Sequence, residues 1–291
     1  MSVAARLRPR ARRSDARSLA ISGTAFARLC LLPLAIVVAA FFVLPMVRLM
    51  EVGAGGPKGL AAYAAILIEP RYRATLINTV VLAAATTAAT LVIATIAGLF
   101  LQRNRFPGRS LLVAMLTFPL AFPGVVVGFM VILLAGRQGL IGEISFPFSG
   151  GRPVFAYSLV GLFLGYLYFS IPRVILTIMA AAEKLDLRLQ EAARSLGAGP
   201  WAVHRDVILP ALVPAFVASG AIAFATAMGA FGTAFTLATN VDVLPMLIYT
   251  EFTLAANLAM AAALSVGLGL VAWAILALAR TFAGATVAAA G

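Results

Sequence analysis

Residues 191–210 read EAARSLGAGPWAVHRDVILP, a polar segment that lies between two long apolar stretches. Good helix formers begin at Leu187, and Gly197 follows at a distance where glycine commonly ends a helix. Pro200 suits the first turn of a second short helix, which Pro210 is expected to end. The segment therefore predicts a compact helix-turn-helix knob with one face exposed to water.

The composition is that of an integral membrane protein. Hydrophobic residues make up 63% of the 291 residues and charged residues 11%, with a mean hydropathy of +1.04. The net charge of +12 does not form a basic stripe with interleaved aromatic residues, which argues against nucleic-acid binding. Cys30 is the single cysteine, so an internal disulfide is excluded.

Six apolar windows are each long enough to cross a hydrocarbon core of about 30 Å as a helix. With the N-terminus inside, fifteen Lys and Arg residues flank the windows on the inner side and six on the outer side. This bias predicts that both termini and the knob are cytoplasmic. The windows are 29–50, 76–101, 111–135, 155–182, 212–238 and 255–279.

The predicted organisation is a basic, disordered cytoplasmic tail over residues 1–28, a transmembrane domain over 29–280 and a short cytoplasmic tail over 281–291. The cytoplasmic connection that carries the knob spans 183–211. The fold class is all-α, with six transmembrane helices.

The polar segment resembles the EAA loop of permease subunits of binding-protein-dependent ABC importers. Val207 stands where that family usually has isoleucine. The resemblance rests on Glu191, Ala192, Ala193, Gly197, Leu209 and Pro210. It implies that these residues couple the chain to an ATPase.

This resemblance implies the MetI-like six-helix architecture in a bacterial cytoplasmic (inner) membrane, surrounded by lipid. It also implies three kinds of partner: a pair of ABC ATPase subunits, a second permease subunit in a heterodimer, and a periplasmic or surface substrate-binding protein. No Walker-type loop is present, so ATP hydrolysis is expected on a separate subunit, and no enzyme activity, cofactor or metal site is predicted here.

Candidate translocation-path residues fall in three spans. Prolines and glycines in the third span predict a bent or unwound helix, and a cation within the fourth span is costly unless it faces water or a partner. Each feature also has a purely structural explanation: kinking, snorkelling or close helix packing. The candidates are Pro119, Pro123, Gly124, Arg173, Met228, Gly229, Phe231 and Gly232.

Other polar residues are expected to have structural roles. His204, the single histidine, is interpreted as solvated or packed in the loop. Asn240, Asp242 and Glu251 are placed in an outer connection, either on a solvated face or in contact with an external partner.

The substrate prediction is a small polar solute. Residues 231–251 resemble spermidine and putrescine permeases most, followed by aminoethylphosphonate, sulfate and ferric-iron systems. An ion-coupled carrier or channel is the first alternative, but it requires intramembrane carboxylates, and the six windows contain none. A membrane anchor that docks a soluble partner is the second.

Overall fold

The computed structural model describes residues 23–237 and 242–283, which contain helices and connections but no strand. The predicted tails lie largely outside these ranges, as do Ala238 and Asn240. Two units are distinguished, residues 1–51 and 52–291.

The described residues begin with one helical stretch. It comprises α1 (Gly23–Val38), a π-helical turn (Ala39–Val43) and α2 (Leu44–Ala54). Apolar side chains along it are exposed, and Phe41 is 80% exposed. Arg48 and Glu51 form an ion pair of 2.7 Å.

The second unit contains twelve further α-helices within the described residues. They are α3 (Ala61–Ile68), α4 (Pro70–Arg103), α5 (Arg109–Thr117), α6 (Gly124–Ala135), α7 (Leu140–Ser149), α8 (Leu159–Glu183), α9 (Leu187–Ser195), α10 (Pro200–Val203), α11 (Leu209–Met228), α12 (Phe231–Leu237), α13 (Leu244–Thr253) and α14 (Leu258–Ala283).

Six helical stretches in the described part of the chain are long and apolar enough to cross a membrane, which confirms the all-α, six-span fold class. They are Cys30–Ala54, Pro70–Arg103, Gly124–Phe148, Leu159–Glu183, Pro200–Met228 and Leu258–Thr281. A shorter apolar helix, Arg109–Ala121, precedes the third.

Small residues let α4 and α8 approach closely. Ala83, Thr86, Thr90 and Ala94 recur every three to four residues on α4, and all four are fully buried. A Cβ atom on Gly98 would lie 3.1 Å from Cγ2 of Ile178 in α8. Lipid tails are as apolar as the side chains of a membrane helix, so the hydrophobic effect does not drive two such helices together. Close packing of this kind contributes to their association instead.

Two of the predicted spans are interrupted. The window 111–135 is interrupted at Phe122 and Pro123, whose backbones are extended with ψ angles of 133° and 147°. The predicted unwinding in this window is thus confirmed. The window 212–238 is interrupted after Met228, where Gly229 and Ala230 separate α11 from α12.

The prediction that Pro210 ends the second short helix is also wrong. The helix continues from Pro200 to Met228, with a π-helical turn at His204–Ile208 just before the proline. The N–H of Leu209 donates to the carbonyl of His204, five residues back. A wider turn accommodates the missing donor and the ring of proline, and the same arrangement precedes Pro45 in the first unit.

Candidate functional site

The knob, defined as residues 186–208, is built from two helices and a tight glycine turn. Oδ1 of Asp186 accepts the N–H of Arg188 at 2.9 Å and caps the first helix. Gly197 has a φ of +86°, a left-handed conformation that favours glycine. Its N–H donates to the carbonyl of Arg194 at 2.9 Å, and the N–H of Ala198 donates to that of Ala193 at 3.0 Å.

These two bonds are the Schellman pattern of a helix end. The structure therefore places Gly197 at the end of α9, as its position in the sequence indicates.

Large apolar side chains project from the knob instead of packing beneath it. Leu196 is 89% exposed and Trp201 is 76% exposed, and Leu187 and Leu189 are also exposed. Large exposed apolar side chains in an otherwise polar segment are typical of a site of protein interaction. The knob has the composition of a docking surface.

The six residues that match the EAA loop differ in their exposure. Glu191, Ala192, Gly197 and Pro210 are exposed, whereas Ala193 and Leu209 are half-buried. Ala193 packs against the buried cluster at this end of the bundle, which includes Val203, Ile208 and Leu212.

Arg103, at the last position of α4, connects both helices of the knob. Its Nη2 donates to Oε1 of Gln190 at 3.0 Å, and its Nη1 lies 3.0 Å from Nε2 of His204. Nδ1 of His204 lies 2.9 Å from the carbonyl of Pro200 and donates to it in the tautomer whose Nε2 accepts from Arg103. Sequence reasoning missed this bridge, because Gln190 and His204 lie 87 and 101 positions after Arg103 in the chain.

A seam of glycine and threonine joins α6 to α12 beside the two helix breaks. Oγ1 of Thr233 donates to the carbonyl of Gly124 at 3.1 Å. A Cβ atom on Gly232 would lie 2.9 Å from the N of Val125, and one on Gly128 would lie 1.6 Å from Oγ1 of Thr236. Gly124 and Gly232 therefore serve close packing of the two broken segments.

The break after Met228 is stabilised from the fourth span. The hydroxyl of buried Tyr166 donates to the carbonyl of Ala230 at 3.1 Å. Exposed Gly229 and Phe231 follow the end of α11, and Phe231 stacks against Phe235 and Tyr249 with ring centroids 5.4 and 5.5 Å away. An aromatic cluster thus lies at the break.

The remaining candidate path residues differ in their environment. Pro123 is exposed at the first break and Pro119 is half-buried. Met228 is only 1% exposed and packs in the central apolar core, so its side chain does not reach a free surface. Arg173 is exposed within the fourth span and donates from Nη1 to Oγ1 of Thr226 in α11 at 3.2 Å.

The expectation of a solvated or partner-facing Glu251 is wrong. Its side chain belongs to α13 and the residue is 5% exposed. Oε1 accepts from the Tyr72 hydroxyl at 3.2 Å and lies 3.8 Å from Nη1 of Arg71, while Oε2 accepts from Nδ2 of Asn257 at 3.2 Å. A buried carboxylate requires such partners, and sequence spacing does not reveal them.

Within residues 23–237 and 242–283, no group of three His, Cys, Asp or Glu side chains is placed to hold a metal ion.

Comparison with known proteins identifies one family and several relatives. Residues 90–287 match the family described as binding-protein-dependent transport system inner membrane component. The molybdenum transport system permease protein ModB of Escherichia coli K12 is 37% identical over 154 residues, 52% of this chain and 66% of its own length. The sulfate transport system permease protein CysT of the same organism is 36% identical over 141 residues, 48% of this chain and 50% of its own length.

A longer match is to the putative 2-aminoethylphosphonate transport system permease protein PhnU of Salmonella typhimurium LT2. It is 32% identical over 228 residues, which cover 76% of this chain and 79% of PhnU. The chain thus spans between half and four fifths of the length of these relatives.

Solved structures share the fold. A chain of a bacterial alginate ABC transporter superposes with a TM-score of 0.75 at 17% identity, covering 90% of this chain and 95% of that one. A chain of the MetNI methionine ABC transporter, in an inward-facing conformation, gives a TM-score of 0.56 at 18% identity, covering 72% and 94%.

Proposed function

Because the chain belongs to the family of inner membrane components of binding-protein-dependent transport systems, we propose that it is the permease subunit of an ATP-driven ABC importer. In this proposal two ATPase subunits bind at the cytoplasmic face, and a second permease subunit completes the path. A periplasmic or surface binding protein delivers the solute. The chain itself performs no chemical step.

The observation that carries this proposal is the knob. It presents four large apolar side chains to solvent, Leu187, Leu189, Leu196 and Trp201. The capped α9, the Schellman turn and the Arg103 bridge hold these side chains on a well-defined scaffold. A rigid, partly apolar projection of this kind suits a groove on a soluble partner.

The knob is also mechanically continuous with the fifth span. The helix from Pro200 to Met228 contains 29 residues, which at 1.5 Å per residue is about 43 Å. It ends at the break occupied by Gly229 and the Phe231 aromatic cluster. Displacement of the knob by a closing ATPase therefore moves this break directly, a rigid-body mode of alternating access.

For the substrate, we propose a small oxyanion in place of the polyamine that the sequence favoured. Arg173 is an exposed cation about ten residues inside the end of the fourth span, or about 15 Å at helical rise. At a 4 Å separation and an effective dielectric constant of 20, it attracts a unit anion by about 4 kcal/mol and repels a unit cation equally. The relatives described above are named for molybdenum, sulfate and aminoethylphosphonate.

Purification and reconstitution test the proposal. The tagged chain is isolated from its native membrane in mild detergent, and the proteins that copurify with it are identified. The complex and its binding protein are then reconstituted in proteoliposomes, and ATP-driven uptake of molybdate, sulfate, aminoethylphosphonate and spermidine is measured. We expect an ATPase and a second permease to copurify, and one of the anions to be taken up.

Arg173 variants test the substrate class separately. Arg173→Gln is expected to lower anion uptake at least tenfold and Arg173→Lys less. Arg137→Gln, at the exposed turn between α6 and α7 within the third apolar stretch, is the control. Uptake of spermidine alone would overturn the oxyanion assignment while leaving the importer intact. Uptake without ATP by the isolated chain would favour a stand-alone carrier.

A further inference from the structure

The long helix α4 contacts a functional element at each of its ends. Its last residue, Arg103, holds the knob, and its first turns hold α13, the short helix between the fifth-span break and the last span. Tyr72 and Arg103 are separated by 31 residues, about 46 Å along the helix axis. The helix has no proline after Pro70, so the commonest cause of a sharp kink is missing between the two ends.

The contact at the knob is specific because one planar guanidinium joins both knob helices. Gln190, the acceptor from α9, is 7% exposed, so its amide oxygen has little access to water as an alternative partner. His204, the acceptor from the second helix, is oriented by its bond to the Pro200 carbonyl. Movement of either knob helix therefore displaces a bonding partner of Arg103.

The contact at the other end is equally specific. The Tyr72 hydroxyl donates to Glu251 at 3.2 Å, and Arg71 lies 3.8 Å from the same carboxylate oxygen. Seven residues further along α4, Oγ1 of Thr79 accepts the N–H of Leu244 at 2.8 Å, at the first turn of α13. Removing either contact takes a bonding partner from a buried polar group.

We propose that α4 carries displacement of the knob to α13, and that Arg103 and the Tyr72–Glu251 pair are positioning residues for this transfer. The inference rests on the importer function proposed above, in which the ATPase moves the knob. It adds a second route, besides the continuous fifth span, by which the two ends of the bundle change together. Because α13 carries Tyr249, whose ring contacts Phe231, this route also reaches the aromatic cluster.

Thiol labelling of α13 in the assembled complex measures this transfer. Cys30, the single cysteine, is replaced by serine, and the 59%-exposed Phe252 of α13 is replaced by cysteine. The rate of maleimide labelling is compared without nucleotide and with ATP plus vanadate. We expect the two rates to differ by at least threefold in this background, because the trapped ATPase displaces the knob.

Arg103→Met keeps an unbranched side chain and removes both hydrogen bonds, so it is expected to abolish most of the nucleotide-dependent difference. Arg105→Met is the matched control, since Arg105 is exposed nearby and makes no hydrogen bond or ion pair with the described residues. Tyr72→Phe is expected to act similarly to Arg103→Met, and the double variant no more strongly than either alone. If Arg103→Met does not insert, Gln190→Leu removes one acceptor and provides the same test.

The outcomes separate the two proposals. A complex that transports but labels equally with and without nucleotide overturns the role of α4, as does an Arg103→Met complex that keeps the full difference. A double variant whose effect equals the product of the effects of Arg103→Met and Tyr72→Phe also overturns it, because the effects of independent sites add in free energy. Failure of the chain to bind an ATPase or to support ATP-driven uptake overturns the importer function itself.

Discussion

Replacement of Gly197 by alanine is expected to disorder the knob without affecting the rest of the chain. Gly197 has a φ of +86°, and no atom outside its immediate neighbours lies within 4 Å of a Cβ built there. The cost is therefore conformational and not steric. A left-handed backbone costs an L-residue about 1–2 kcal/mol, which corresponds to a factor of about 5–30 in the population of the intact turn.

The two Schellman bonds define what is lost when the turn relaxes. Without them the carbonyls of Ala193 and Arg194 lose their donors, and Leu196 and Trp201 no longer keep a fixed separation. We expect Gly197→Ala to weaken ATPase binding to the detergent-solubilised complex by about 5–30-fold if the intact turn is required for docking. Gly197→Asn is expected to have a smaller effect, because asparagine tolerates the left-handed region better.

Gly108 offers a matched control. It also has a φ of +86°, with nothing within 4 Å of its Cβ position, but it precedes α5 and lies outside the knob. Gly108→Ala therefore imposes the same backbone cost elsewhere and is expected to leave ATPase affinity unchanged. Equal losses for the two alanine variants, or undiminished binding by Gly197→Ala and by Gly197→Asp, would refute the reasoning.

Three further predictions concern single contacts. Trp201→Ser removes an exposed apolar side chain from the knob and is expected to weaken ATPase binding at least tenfold. The thermal stability of the isolated chain should not change, and a drop in stability would mean that Trp201 packs within the fold. Gly128→Ala places a Cβ 1.6 Å from Oγ1 of Thr236 and is expected to destabilise the chain by about 1–3 kcal/mol in a detergent melting assay. Gly269→Ala is the control, because a Cβ there meets nothing within 4 Å, and it should melt like the wild type. Tyr166→Phe leaves the carbonyl at the fifth-span break without its donor and is expected to cost about 1–3 kcal/mol in the same assay, so an unchanged melting temperature would show that another group satisfies it.

Much of the fold follows from local sequence because membrane spans are long and uniformly apolar. Composition and window length predicted six spans, and six suitable helices lie in the described residues. The glycine turn at Gly197 was also predictable, since its conformational requirement is local. Hydropathy was less informative about interruptions, because Gly229 and Ala230 carry no charged or polar side chain that would mark the end of a span.

Features that depend on distant partners were not predictable from the sequence. Pro210 was expected to end a helix, but the π-helical turn before it absorbs the missing N–H and the helix continues. Glu251 was assigned to a solvated or partner-facing connection, because its partner Tyr72 is 179 residues away in the chain. Arg103 was recognised only as a positive charge near a span end, and its bridge to Gln190 became visible only in three dimensions.

The most direct test of the central claim is photo-crosslinking from the tip of the knob in native membranes. Leu196, 89% exposed, is replaced by cysteine in a Cys30→Ser background and modified with a benzophenone maleimide. Phe252→Cys on α13 serves as the control. We predict a crosslink from position 196 to a polypeptide that mass spectrometry identifies as a P-loop ATPase, and none from position 252. Crosslinks from position 196 only to lipid, or to the ATPase equally from both positions, would contradict the assignment of the knob as the site that couples this chain to ATP hydrolysis.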